Sequence, residues 1–171
     1  MAKTSAKSFK VDKQSKEDFV SMTNDLYLLT GAWAWLFIEF EMRHIEENNR
    51  VYLPLPVYVS KYLEHQHEKK ELCRYDIQLS EEQTNKLKDF CDKYNISKHV
   101  FVDAVFCLAV DRIQRVNTKK LRIAEIDPIT RLRLFVKRKP NDNEHFFWLK
   151  DNIFLDKYVV PKSFRDKYPE S

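Results

Sequence analysis

The stretch Leu72-Cys73-Arg74-Tyr75-Asp76-Ile77-Gln78-Leu79 alternates strictly, with Cys73, Tyr75, Ile77 and Leu79 on one face and Arg74, Asp76 and Gln78 on the other. Period-two alternation predicts a strand with one buried and one open face. Ser80 then offers a side-chain oxygen to cap a helix, and Glu81 and Glu82 occupy the first turn, where the positive end of the helix dipole favours carboxylates. In that helix Leu87, Phe90, Cys91 and Tyr94 recur at i, i+3, i+4 and i+7, opposite Lys86, Lys88, Asp89, Asp92 and Lys93. Asn95 suits a left-handed turn residue. Ser97 can cap a second helix, whose stripe is Phe101, Ala104, Val105, Leu108 and Ala109, continuing to Ile113.

A lone strand cannot satisfy its backbone hydrogen bonds, and one strand with two helices makes too small a core. Pairing with a second copy of the chain is expected to solve both problems. Arg74-Tyr75-Asp76-Ile77-Gln78-Leu79-Ser80-Glu81, the seventeen-residue step from Ser80 to Ser97, and Ile96-Ser97-Lys98 at the second helix resemble the ribbon-helix-helix family of the Arc, MetJ and CopG repressors, the CopG type most closely. The resemblance covers about a quarter of the chain, residues 72–115. It implies a homodimer whose two strands form an antiparallel ribbon that enters the DNA major groove, while four helices share one core.

Carried over by position, base reading falls on Arg74, Asp76 and Gln78, and phosphate anchoring on Ser97, Lys98 and His99. Arg pairs bidentately with guanine and Gln with adenine, and the N–H groups at a helix start bind phosphate. Asp76 accepts from cytosine N4, but it also repels phosphate and its own mate across a homodimeric ribbon. The same three residues would also suit an ordinary exposed strand.

Residues 71–115 carry seven Lys or Arg against eight Asp or Glu, so the motif is not basic, and the whole chain has a formal charge of only +4. The positive charge sits on the flanks. Residues 1–16 contain Lys3, Lys7, Lys10, Lys13 and Lys16 and read as a basic flexible arm. Residues 117–140 contain Lys119, Lys120, Arg122, Arg131, Arg133, Lys137, Arg138 and Lys139; of these, Lys119, Lys120, Arg131 and Arg133 are the candidate flanking phosphate contacts.

The expected architecture is mainly α with a small β component. It consists of an arm (1–16), an N-terminal helical module with a Pro-containing connector (17–70), the ribbon-helix-helix unit (71–116), and a basic hairpin-like segment with an aromatic tail (117–171). In the helical module, Glu17 to Asn48 reads as one long helix or two abutting ones. Its Trp33, Trp35, Phe37 and Phe40 suit a protein interface or burial against the body; the apolar run of about thirteen residues from Leu26 to Ile38 is too short to span a bilayer. Cys73, Cys91 and Cys107 fall on inward positions and read as small core residues in a reducing compartment.

One glycine, Gly31, leaves no phosphate-cradling or dinucleotide-binding loop, and no catalytic group, cofactor or metal is expected; His65 and His67 read as solvent-facing. The expected function is sequence-specific binding of double-stranded DNA by a homodimer or higher oligomer, as a transcriptional repressor or a plasmid or phage replication, partition or conjugation accessory factor. The expected location is cytoplasmic and nucleoid-associated, with no membrane contact. The alternative is an interaction or structural protein that uses the unit only to dimerise and binds a protein partner through its aromatic N-terminal helix.

Overall fold

The computed structural model describes residues 3–47, 54–120 and 161–168. It is mostly helical, with one two-stranded antiparallel sheet. The motif region folds as its pattern predicts: strand β2 (Leu72–Ser80) buries Tyr75, Ile77 and Leu79, and Ser80 closes a capping box with Gln83. Helix α4 (Glu81–Tyr94) buries Leu87, Phe90, Cys91 and Tyr94, and Asn95 stops it at φ 55°. Helix α5 (Lys98–Lys120) follows.

The partner of β2 comes from the same chain. Residues 4–12, expected to be a flexible arm, form strand β1 (Thr4–Asp12), which pairs with β2 along its whole length, from Thr4 opposite Ser80 to Asp12 opposite Leu72. The buried ribbon face takes Phe9 and Val11 from β1; opposite Ile77 and Leu79 the same face carries the half-buried Lys7 and the exposed Ser5. The strand pairing therefore needs no second copy, and the unit bounded at 71–116 is half of a larger one.

That larger unit repeats itself. Asp12 caps helix α1 (Lys13–Asp25) through its carboxylate and the Ser15 N–H, as Ser80 caps α4. Tyr27 turns the chain at φ 56°, as Asn95 does, and helix α2 (Thr30–Glu47) follows as α5 does. Every one of these correspondences has the same offset, 68 residues: Thr4 to Leu72, Asp12 to Ser80, Tyr27 to Asn95, Thr30 to Lys98. Ser8 and Asp76 face each other at the middle of the ribbon and are also counterparts at that offset, so a local two-fold axis passes between them. From residue 4 to residue 42 no position keeps its amino acid at the offset.

What the halves share is burial. Phe9 and Ile77, Phe19 and Leu87, Leu26 and Tyr94, Ala34 and Val102, Phe37 and Val105, and Ile38 and Phe106 are buried counterparts. The halves interlock: α2 lies against β2 and exchanges the ion pairs Lys86–Glu39 and Lys93–Glu46 with α4, while α5 lies against β1 and α1. Phe19 stacks on Phe106 with ring centroids 4.2 Å apart and meets Phe37 edge-on, and Phe106 meets Tyr75 edge-on. Full burial of one such ring contributes about 1.5–3 kcal/mol. The aromatic helix expected to bind a partner thus takes the place in the core that a second copy would have filled: Phe37 is buried, and Trp33, Trp35 and Phe40 pack against the core.

Between the halves, Leu55 docks on the end of α4, accepting from the Asn95 side chain and donating to the Tyr94 carbonyl. Helix α3 (Val57–Glu68) then leads to β2, and a short helix α6 (Lys162–Lys167) lies against α3, with Arg165 over the Tyr58 ring. Two sequence expectations are corrected here. His67 is buried at the edge of β1, where it meets the Lys10 carbonyl and Asp103, rather than solvent-facing, and Cys107 is exposed beside the Ser15 hydroxyl on the first turn of α1. Cys91 is a core thiol, pushed up to about 12 by burial. Among the described residues no helix is long and apolar enough to cross a membrane.

Candidate nucleic-acid interface

The middle of the ribbon's outward face carries three cross-strand pairs, Lys10 with Arg74, Ser8 with Asp76, and Ala6 with Gln78, between the end pairs Asp12–Leu72 and Thr4–Ser80. All six side chains of the three middle pairs are exposed. At the centre, Asp76 Oδ1 accepts from the Ser8 hydroxyl at 2.6 Å and from Arg74 Nε at 2.8 Å. The Arg74 hydrogen bond, with that from Ser8, holds the Asp76 carboxyl below the usual carboxylate range.

This geometry changes what Asp76 does. A ribbon of two β2 strands in this register would set two Asp76 carboxylates opposite each other, which is unfavourable. In the observed ribbon a serine hydroxyl stands there instead. A guanidinium has five N–H donors, and Asp76 takes only Nε–H, so among the described residues the two terminal nitrogens of Arg74 remain available in their planar fork.

The first turn of α5 sits beside the Lys10–Arg74 end of the ribbon. His99 Nδ1 accepts from the Lys10 backbone N–H at 3.1 Å, and its ring meets Phe9 edge-on. Burial, with His67, Lys10 and Lys98 nearby, lowers the His99 pKa, so this half-buried imidazole is a positioning group rather than a free cation. Lys98 is exposed and Ser97 half-buried at the same turn.

The outer edge of β1 is closed by a second polar cluster. His67 Nε2 lies 2.9 Å from the Lys10 carbonyl oxygen and Nδ1 lies 3.2 Å from Asp103 Oδ2; Asp103 also takes the Asp12 N–H at 3.2 Å and the Lys70 ammonium at 3.0 Å. Burial alone would raise the Asp103 pKa, but the His67 hydrogen bond and the Lys70 charge outweigh it and hold the carboxyl below its ordinary value. An otherwise open strand edge is thereby covered.

Arg74, Asp76 and Gln78 therefore share one exposed face, and Lys98 and His99 flank one end of it. Arg131 and Arg133 lie outside the described residues, as do the side chains of Lys119 and Lys120. Sequence reasoning missed Ala6, Ser8 and Lys10, the β1 half of the face. Their signal was the short alternation Lys7-Ser8-Phe9-Lys10-Val11 ending at the cap residue Asp12, outweighed by the five lysines around it. Comparison with protein-family models, with curated proteins and with solved structures finds no match to this chain.

Proposed function

We propose that this chain binds double-stranded DNA in a sequence-dependent way, laying its intramolecular ribbon in the major groove as a ribbon-helix-helix dimer does, but with both strands supplied by one polypeptide. The observation that supports this most is the open ribbon face, where an oriented guanidinium, an amide and an ammonium project from a rigid two-stranded sheet. A two-stranded ribbon fits the major groove, and Arg, Gln and Lys are the side chains that read guanine and adenine edges there. In this reading Arg74, Gln78 and Lys10 contact bases, Asp76 holds Arg74, and Ser97 and Lys98 hold a phosphate at the start of α5. Occupancy of the site is the activity, which suits the repressor or plasmid or phage accessory roles that the resemblance implies.

The competing interaction-protein reading draws on the aromatic N-terminal helix, which places Ala34, Phe37 and Ile38 in the core and keeps Trp33, Trp35 and Phe40 half-buried. Fluorescence anisotropy with duplex DNA across salt concentrations separates the two. The DNA reading expects Arg74→Ala with Gln78→Ala to lose sequence preference, by about 1–3 kcal/mol per bidentate contact, and Lys98→Ala to weaken all sequences alike. Binding to no duplex at low salt, or indifference to all of these substitutions, contradicts it.

A further inference from the structure

The two-fold relation that builds the ribbon also exposes how unequal its two ends are. At the 68-residue offset Arg74 corresponds to Ala6, Asp76 to Ser8, and Gln78 to Lys10. Antiparallel pairing then sorts these unlike residues by end. One end carries Arg74 beside Lys10, two cationic donors; the other carries Gln78 beside Ala6, an amide and a methyl group. The middle pair, Ser8 and Asp76, is closed on itself and on Arg74.

The flanking helix starts differ in the same sense. The Arg74 end is bordered by Ser97, Lys98 and His99, placed there by the His99 bond to Lys10. Their counterparts in α2 are Leu29, Thr30 and Gly31. Leu29 is exposed, and the Thr30 hydroxyl is turned inward onto Thr23 at 2.7 Å, so that start offers no cation and no free hydroxyl.

We infer that the DNA site of this protein is polar rather than palindromic: a guanine-containing step under Arg74 and Lys10, with the anchoring phosphate beside it, and an A·T step under Gln78 and Ala6. This rests on the DNA-binding reading above and specifies its ligand. Arginine and lysine read guanine O6 and N7, glutamine reads adenine N6 and N7, and a small apolar side chain meets the thymine methyl. A symmetric homodimer must present the same readers at both half-sites, so its operators mirror its two-fold axis. A single chain with two diverged halves is released from that constraint.

The test is selection of bound duplexes from a random-sequence library by the full-length chain, followed by anisotropy on the enriched site. The expected motif has no inverted-repeat symmetry and has one G·C-specific and one A·T-specific end. Gln78→Ala should erase preference at the A·T end alone, by roughly ten- to hundred-fold. The pair Ala6→Arg with Gln78→Lys, both on exposed positions, makes the two ends two-fold equivalent and should shift selection to an inverted repeat, with unchanged circular dichroism confirming the fold. Enrichment of an inverted repeat by the wild type overturns the inference and leaves the DNA-binding reading intact. Salt-sensitive binding with no enriched sequence overturns the inference together with the sequence dependence of that reading, and leaves non-specific DNA binding. Failure to bind any duplex at low salt overturns both.

Discussion

The two halves of this molecule, β1-α1-α2 and β2-α4-α5, have the same element order, the same offset, the same capped strand ends and the same left-handed turn, yet share no residue from 4 to 42. What they hold in common is where apolar volume is buried; what differs is every side chain on the outward ribbon face and at the starts of α2 and α5. A buried position accepts any apolar residue that fills the space, and the interlocked core asks only that total volume and pattern be kept. An exposed position carries no such demand. The fold is therefore conserved between the halves by packing, while the surface is free to specialise, and the polarity of the ribbon is the result.

The largest expected effect comes from breaking the interlock. Phe19 belongs to the first half but stacks on Phe106 of the second, so Phe19→Ala should cost about 3–5 kcal/mol. Denaturant unfolding should remain a single transition, shifted as a whole; two separate transitions would mean that the halves are independent.

The next effect lies in the polar edge that only one half has. Asp103 stands where the other half has Trp35. Its folded carboxyl is held below its ordinary value, so its stabilising contribution is fully present above the unfolded carboxylate pKa of about 3.9 and is lost as pH falls through the lower folded value. Asp103→Asn should cost about 1–3 kcal/mol near neutrality, and the difference from wild type should shrink in acid. A difference that stays constant from neutrality to strong acid would show that the carboxylate charge plays no part.

Two smaller substitutions compare equivalent positions directly. Ser80→Ala removes the capping box of α4 and Asp12→Ala the cap of α1, each costing about 1 kcal/mol in chemical denaturation. At the turns, Tyr27 holds a positive φ with its side chain 86% exposed, whereas Asn95 holds the same φ and donates to Leu55. Tyr27→Gly should stabilise by about 0.5–1 kcal/mol by relieving the left-handed strain, while Asn95→Ala should destabilise by about 1 kcal/mol. Equal signs at the two turns would contradict their assigned roles.

The second half was legible because each local signal agreed: strict alternation in β2, the Ser80 cap, the α4 stripe and Asn95 all lie where their physics puts them. The first half hid its strand. Only Phe9 and Val11 mark the buried face of β1, and lysines at 3, 7, 10, 13 and 16 made the segment read as a solvated arm. Tyrosine is a rare occupant of the left-handed region, so Tyr27 gave no turn signal, and α2 is apolar on so many sides that its aromatics suited a partner as well as a core. Without β1 in view, Asp76 looked like a reader in conflict with phosphate. Once Ser8 and Arg74 are placed against it, it orients the guanidinium instead. His99 gains a role in the same way, since its imidazole ties α5 to β1.

On the reading proposed for this protein, one polypeptide completes the whole DNA-reading unit. Sedimentation equilibrium of the full-length protein on a duplex trimmed to a single enriched site, at protein concentrations well above the dissociation constant, tests it most directly. One chain per duplex is the predicted result; two chains on that minimal duplex, or no complex, would contradict it.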